Sequence, residues 1–319
     1  MQTIEHPGDA VAFVFPGQGS QHPGMGRAIY DSSPAARAIF QQADDILGRP
    51  ISSLCFSSPA EILEDTANAQ PAILTVSIAT LEAIRERSAA DGVAISPRVV
   101  AGHSLGEFTA MVAAGVMDFE SALKLVQERG ILMRAAGEER PGGMAAVIGL
   151  DDATLYELCR DAGDHGIVTV ANDNCPGQLV ISGEIRALTR AMELATAAGA
   201  RKVLRLGVSI ASHSPLMSRV SSQLGDLISR VPLRTPQIPI VANITGQVIT
   251  SLDDIRHELS TQVEKPVNWT RSVGEMVNTG ATTFVEVGPG QVLGGLIRRI
   301  SKDVKVLPGQ DLVVGKPAR

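Results

Sequence analysis

Ser104 lies at the centre of Gly102-His103-Ser104-Leu105-Gly106, a spacing that suits acyl chemistry. The run Arg98-Val99-Val100-Ala101 leads in as a buried strand, and Glu107–Ala114 leads out as a helix. Glycines on both sides permit a strained strand-to-helix corner that lifts a serine hydroxyl above a sheet. Such a serine sits at a helix N-terminus, where unpaired N–H groups favour a developing oxyanion, and the Leu105 N–H is the natural first donor. The alternative is a plain tight turn with Ser104 as its N-cap.

A serine nucleophile needs a base, and the chain has six histidines. His6 is near the terminus, His165 and His257 sit among polar residues, and His103 should diverge from its neighbour on so sharp a turn. His22 follows a Gly-rich turn and is a weak candidate. His213, in Ser209-Ile210-Ala211-Ser212-His213-Ser214, is the remaining candidate, with a capping or surface role as its alternative. No Asp or Glu stands out as a third member; a backbone carbonyl could orient the imidazole equally well.

Arg129 falls on the apolar stripe Ala122, Val126, Met133 of a helix expected over 119–136. A guanidinium facing a core costs several kcal/mol unless a carboxylate meets it. Either an internal Asp or Glu pairs with it, or it waits for a substrate carboxylate, held bidentately. Phe15-Pro16-Gly17-Gln18-Gly19-Ser20-Gln21 is neither a dinucleotide fingerprint nor a P-loop. Its backbone N–H groups, Gln18 foremost, could still reach a ligand. Glu286-Val287-Gly288-Pro289-Gly290 reads as a simple strand-to-helix corner.

Several elements must position these residues. Val11–Phe15 and 98–101 are apolar enough for buried strands, and helical patterns cover 34–47, 71–87, 107–114 and 119–136. Alternating strands and helices imply an α/β unit with a parallel sheet covered on both faces. Residues 142–206 change character to strand, helix, strand, strand, helix, strand, the ferredoxin-like order. They read as an insertion, with Pro141-Gly142-Gly143 and Gly207 as hinges. Strands near 238–242 and 283–287 and a helix at 291–301 complete the large sheet, and the tail from Pro308 is expected to be loose. The expected division is 1–140 with 207–319 as one discontinuous domain and 141–206 as the other.

The 319 residues suffice for about two domains with full cores. With 44% hydrophobic residues, wholesale disorder is excluded. A net charge of −6 argues against nucleic-acid and membrane-surface binding by the whole molecule. Three cysteines without metal-type spacing fit a reduced, cytoplasmic setting and predict no metal site. The first residues lack the features of a signal peptide, and no run approaches a membrane span.

Together these pieces resemble the acyl-CoA:acyl-carrier-protein transacylases, which include malonyl-CoA:ACP transacylases and polyketide synthase acyltransferase domains. The resemblance runs through Phe15–Gln21, Gln70-Pro71-Ala72, Gly102–Glu107, Arg129-Gly130, Asn174–Gln178, Ser212-His213-Ser214, Val241-Ala242-Asn243, Pro266–Thr270 and Val285–Gly290. It implies an α/β-hydrolase-like large domain with a mostly parallel sheet and an inserted ferredoxin-like small domain. It implies Ser104 as acylated nucleophile, His213 as general base, the Gln18 and Leu105 amides as oxyanion hole, and Arg129 as anchor for a free carboxylate. Gln262 matches the position whose main-chain carbonyl orients the histidine, and Gln70 and Asn174 fall at pocket-lining positions. In polyketide acyltransferases the four residues ending in the histidine track acyl choice. Here they are Ile210-Ala211-Ser212-His213, matching neither the malonyl nor the methylmalonyl pattern in full, while Leu105 is typical of malonyl enzymes.

The implied activity is malonyl transfer from malonyl-CoA to the phosphopantetheine thiol of an acyl carrier protein, for fatty-acid or polyketide synthesis. Methylmalonyl transfer and thioester hydrolysis are the alternatives, with a non-catalytic docking module behind them. Coenzyme A enters as substrate; no permanently bound cofactor is expected, and the chain is expected to be a monomer. An acidic carrier protein needs a basic surface, for which Arg298, Arg299, Lys302 and Lys305, or Arg201, Lys202 and Arg205, are candidates.

Overall fold

The computed structural model describes residues 10–92 and 95–314. His6 lies outside them. Eleven strands occur among the described residues: β1 (Val11–Phe15), β2 (Val99–Gly102), β3 (Gly142–Ile148), β4 (Val168–Cys175), β5 (Gln178–Glu184), β6 (Lys202–Arg205), β7 (Ile240–Val241), β8 (Val248–Ile249), β9 (Val267–Asn268), β10 (Thr283–Glu286) and β11 (Lys305–Pro308).

They form two sheets. The six-stranded sheet runs β11-β10-β1-β2-β7-β8 and is parallel except for the antiparallel β7–β8 pair at one edge. Successive residues of β1 enter opposite cores: Val11, Phe13 and Phe15 pack into one, and Ala12 and Val14 into the other. A strand buried on both faces needs apolar residues throughout, which explains the uninterrupted Val-Ala-Phe-Val-Phe. The helix Thr66–Ala90 is buried nearly all round and belongs to the first core.

The second sheet runs β6-β3-β5-β4-β9. Within 142–205 the element order is as expected, and the helices Asp152–Asp161 and Ile185–Ala197 share a third core with the sheet. The opposite face is a small apolar patch of Met144, Ala171 and Val180. β9 comes from outside this segment and pairs parallel with β4 at Asn172–Val267 and Asp173–Asn268, so the two sheets are stitched together by the later chain.

Three expectations need correction. The helix assigned to 71–87 begins at Thr66, because the Asp65 side chain accepts the Ala67 N–H and caps the earlier turn. Pro71 is therefore inside the helix. Gly142 and Gly143 are no hinge: both lie within β3, and a Cβ on Gly142 would stand 2.7 Å from Ala211 Cβ. Their smallness serves close packing. Pro308 does not begin a loose tail: it ends β11, which pairs with β10, and a 3-10 turn follows over Gly309–Leu312.

Candidate active site

The elbow at Ser104 is built by what its glycines omit. A Cβ on Gly102 would lie 1.9 Å from the Gly106 carbonyl carbon, and one on Gly106 would lie 2.0 Å from the Phe15 carbonyl oxygen. The chain can reverse from β2 into the helix Gly106–Ala113 only if both side chains are absent. Ser104 is left at φ 50°; the only other non-glycine residue at positive φ among the described residues is His213, at 58°. Left-handed backbone at an ordinary L-residue is strained and persists where surroundings over-determine it. The surroundings here are specific. The Ser104 N–H donates to Asn243 Oδ1 (2.7 Å), and Asn243 Nδ2 donates back to the Gly102 carbonyl (2.7 Å).

His213 comes from the segment after β6. Its Nε2 lies 2.8 Å from Ser104 Oγ. Its Nδ1 lies 2.8 Å from the Gln262 carbonyl and 3.0 Å from that of Lys265. Two carbonyls can only accept, so they hold the proton on Nδ1 and leave Nε2 bare toward the serine. Burial, and then the nearby Arg129 charge, push the imidazole pKa down to about 3. The imidazole is therefore neutral through the physiological range and can serve as a base. Because protonation sets in only near that value, kcat/KM for a thioester donor should stay flat from pH 8 to 5. A half-maximal loss near pH 6.5 in a steady-state pH profile would contradict this environment for His213.

Arg129 is buried (2% exposed), and its hydrogen-bond partners are all neutral. One guanidinium nitrogen donates to Gln70 Oε1 (2.8 Å); the other reaches Ser104 Oγ (3.1 Å) and Gln262 Oε1 (3.1 Å). Nε has no partner among the described residues. Phe108 lies under the guanidinium, 5.8 Å from ring centroid to Cζ. The nearest acid, Glu107, acts at one remove through Gln262 Nε2 (3.1 Å). Burial, and then the like charge of Glu258, push the Glu107 carboxyl well above the ordinary carboxylate range. It is thus a poor counter-ion. Burial lowers the Arg129 pKa to about 10, so it remains a cation. Of the two readings open for Arg129, internal pairing with a carboxylate is not what the contacts record. Gly130 lets this helix close on the start of the Thr66 helix, since a Cβ there would meet the Thr66 carbonyl oxygen at 2.7 Å.

The amides of Gln18 and Leu105 donate to no protein acceptor among the described residues. The turn carrying Gln18 is pressed on the elbow: a Cβ on Gly17 would stand 2.4 Å from the His103 carbonyl oxygen. A cleft of about 460 Å³ opens over these groups, lined by Gln18, Ser104, Arg129 and His213 on one side and by Met144 and Val180 on the other. Asn174 and Ile210 line it too. Asn174 Oδ1 is 2.8 Å from His103 Nε2, so His103 does turn away from the serine. Ile210 fills the space left by Gly137 of the Arg129 helix. His22, His165 and His257 are exposed. Of the residues expected at the site, Gln18, Ser104, Arg129, Asn174, Ile210 and His213 line the cleft, whereas Gln70 and Gln262 lie behind it as hydrogen-bond partners of Arg129 and Leu105 is buried beside Ser104. Sequence reading missed Asn243, Glu107 and Thr66, although Asn243 and Glu107 stand in the quoted motifs. Among the described residues, no cluster of three or more His, Cys, Asp or Glu is placed to hold a metal ion. Nor is any helix long and apolar enough to cross a membrane.

Comparison with known proteins follows the same lines. The family model described as "Acyl transferase domain" matches residues 12–315. Malonyl CoA-acyl carrier protein transacylase of Bacillus subtilis (strain 168) is 40% identical over 302 residues, which are 94% of this chain and 93% of that protein. The protein of the same description from Escherichia coli (strain K12) is 42% identical over 289 residues, 91% and 92% of the two chains. The crystal structure of malonyl-CoA:acyl carrier protein transacylase from Xanthomonas oryzae pv. oryzae superposes with a TM-score of 0.89 at 41% identity, covering 94% of each chain. A malonyl-transacylase solved in complex with its type II PKS acyl-carrier protein gives 0.90 at 37% identity, covering 96% of this chain and 99% of that one.

Proposed function

Starting from the acyl transferase domain family, to which this chain belongs, we propose that it moves a malonyl group from malonyl-CoA to the phosphopantetheine thiol of an acyl carrier protein. The observation that carries this reading is the position of one oxygen. Ser104 Oγ is 2.8 Å from a bare imidazole nitrogen and 3.1 Å from a buried cation that has no carboxylate partner. A plain hydrolase needs the first contact and has no use for the second.

Malonyl-CoA enters with its free carboxylate on Arg129, taking up the one terminal nitrogen that now faces Ser104 and the idle Nε. His213 Nε2 accepts the Ser104 proton as Oγ attacks the thioester carbonyl. The Gln18 and Leu105 amides receive the oxyanion. The intermediate collapses with cleavage of the C–S bond, and His213 returns its proton to the departing CoA sulfur. The carrier-protein thiol then runs the steps in reverse, giving its proton to His213 and regenerating Ser104. Carboxylate binding also offsets the charge that depresses His213, so the correct donor strengthens its own base. The apolar wall of Met144 and Val180 across from Ser104 helps to keep water from the acyl-serine.

The same reading assigns the six-stranded unit to an α/β-hydrolase-like domain and residues 141–206 to a ferredoxin-like one, whose strand order β6-β3-β5-β4 supports it. It takes the chain as a cytoplasmic monomer without a permanently bound cofactor. For the carrier protein, Arg201, Lys202 and Arg205 are all exposed. In the other basic cluster, Arg298 and Arg299 are partly engaged with Val306, Pro176 and Gln178.

Intact-protein mass spectrometry after mixing with malonyl-, methylmalonyl- and acetyl-CoA together tests the proposal. A malonyl adduct that disappears on adding carrier protein, with the same mass gained by the carrier, is expected. Release of free acid without a stable adduct would instead indicate a hydrolase.

A further inference from the structure

A second hydrogen-bonded arm leaves Arg129 on the side away from His213. One guanidinium nitrogen donates to Gln70 Oε1, Gln70 Nε2 donates to Thr66 Oγ1 (2.8 Å), and Thr66 Oγ1 donates to Gln18 Oε1 (2.8 Å). The direction of this chain is set at its head. A guanidinium has donors only, so it fixes Oε1 of Gln70 as the acceptor and turns the amide nitrogen toward Thr66. Thr66 Oγ1 then accepts, and its single proton must pass on to Gln18 Oε1. Gln70 and Thr66 are buried, so water does not compete for these bonds.

The far end of the arm is the turn that bears an oxyanion-facing amide. Gly17 and Gly19 flank Gln18, and Gly19 lies at φ 99°, so the backbone there has little stiffness of its own. Ser20 Oγ and Gly19 N–H close the turn internally through Gly17 O and Gln21 Oε1. Thr66 is what joins the Gln18 side chain to another element. The Thr66 helix in turn is held against Gly130, the residue after Arg129.

We propose that Thr66 is a positioning residue for acyl transfer: its hydroxyl ties the turn bearing the Gln18 amide to the Gln70–Arg129 pair, so that the oxyanion donor and the carboxylate anchor are set against Ser104 as one unit. This rests on the transferase reading above. An oxyanion donor acts mainly in the transition state, so its displacement lowers kcat and leaves donor binding nearly intact.

The test compares wild-type chain with Thr66→Val, Thr66→Ser and Gln18→Met, measuring Ser104 acylation by malonyl-CoA in rapid-quench experiments across donor concentrations. Thr66→Val keeps the shape and removes the proton. It should lower the maximal acylation rate about 10- to 100-fold, somewhat less than outright loss of an oxyanion donor, with the donor concentration at half-maximal rate changed less than about 3-fold. Thr66→Ser should return to within about 3-fold of wild type, because it restores the hydroxyl. Gln18→Met removes the acceptor from the other end, should show a similar loss, and in the double variant should add little to Thr66→Val. It also keeps the test decisive if the valine chain does not fold. A valine variant acylating at more than half the wild-type rate, an effect confined to half-saturation, or a serine variant as slow as valine overturns the role of Thr66. A wild-type chain that malonyl-CoA does not acylate overturns the transferase reading itself.

Discussion

Alanine at position 213 is expected to reduce malonyl transfer by about 10⁴- to 10⁶-fold, the range seen when one member of a coupled nucleophile–base unit is lost. The expectation follows from how completely the imidazole is committed. Its Nδ1 proton is held between the carbonyls of Gln262 and Lys265, and its Nε2 is the hydrogen-bond partner of Ser104 Oγ on the base side. Among the described residues the other contacts of Ser104 Oγ include a cation, which cannot take a proton. The fold should survive, because the position 213 N–H still donates to Val263 O. Rapid-quench acylation with malonyl-CoA, with circular dichroism as a control, measures the loss. Ser104→Ala should form no acyl-enzyme at all in the same assay. A His213→Ala chain retaining a tenth of the wild-type rate would show that another group removes the proton.

Arg129→Ala is expected to invert donor preference. Removing one partner of a buried charge interaction costs about 3–5 kcal/mol, so kcat/KM for malonyl-CoA should fall about 10²- to 10⁴-fold. Acetyl-CoA has no carboxylate to place and gains from the loss of a desolvated cation beside its path. His213, relieved of the charge that depresses it, also becomes the stronger base. Acetyl transfer should hold or rise, and competition between the two donors, read by mass, gives the ratio directly. Equal losses for both donors would make Arg129 a scaffold for Gln70 and Gln262 and nothing more.

The fold was legible where burial is two-sided or patterning is local. Val11–Phe15 reads as a central strand because alternate residues must enter two different cores. The strand and helix order of 142–206 could be read because each element carries its own period. The start of the Thr66 helix was missed because Pro71 looks like a first-turn proline, whereas the cap is supplied by Asp65, six residues before it. β9 has only two residues, and its pairing with β4 bridges some 95 positions, which no local pattern reveals.

Local chemistry alone therefore marked Ser104 and Arg129 as candidates for nucleophile and anchor. Ser104 is announced by glycines that sterics demand, and Arg129 by a charge on an apolar stripe. What only the tertiary structure decided is who neutralises whom. The Asn243–Ser104, Gln262–Glu107 and Arg129–Gln262 contacts join residues more than 130 positions apart. Whether a buried cation meets a carboxylate or an amide depends on such distant neighbours, because Coulomb and hydrogen-bond energies are set by separation in space and by local desolvation, and not by order along the chain.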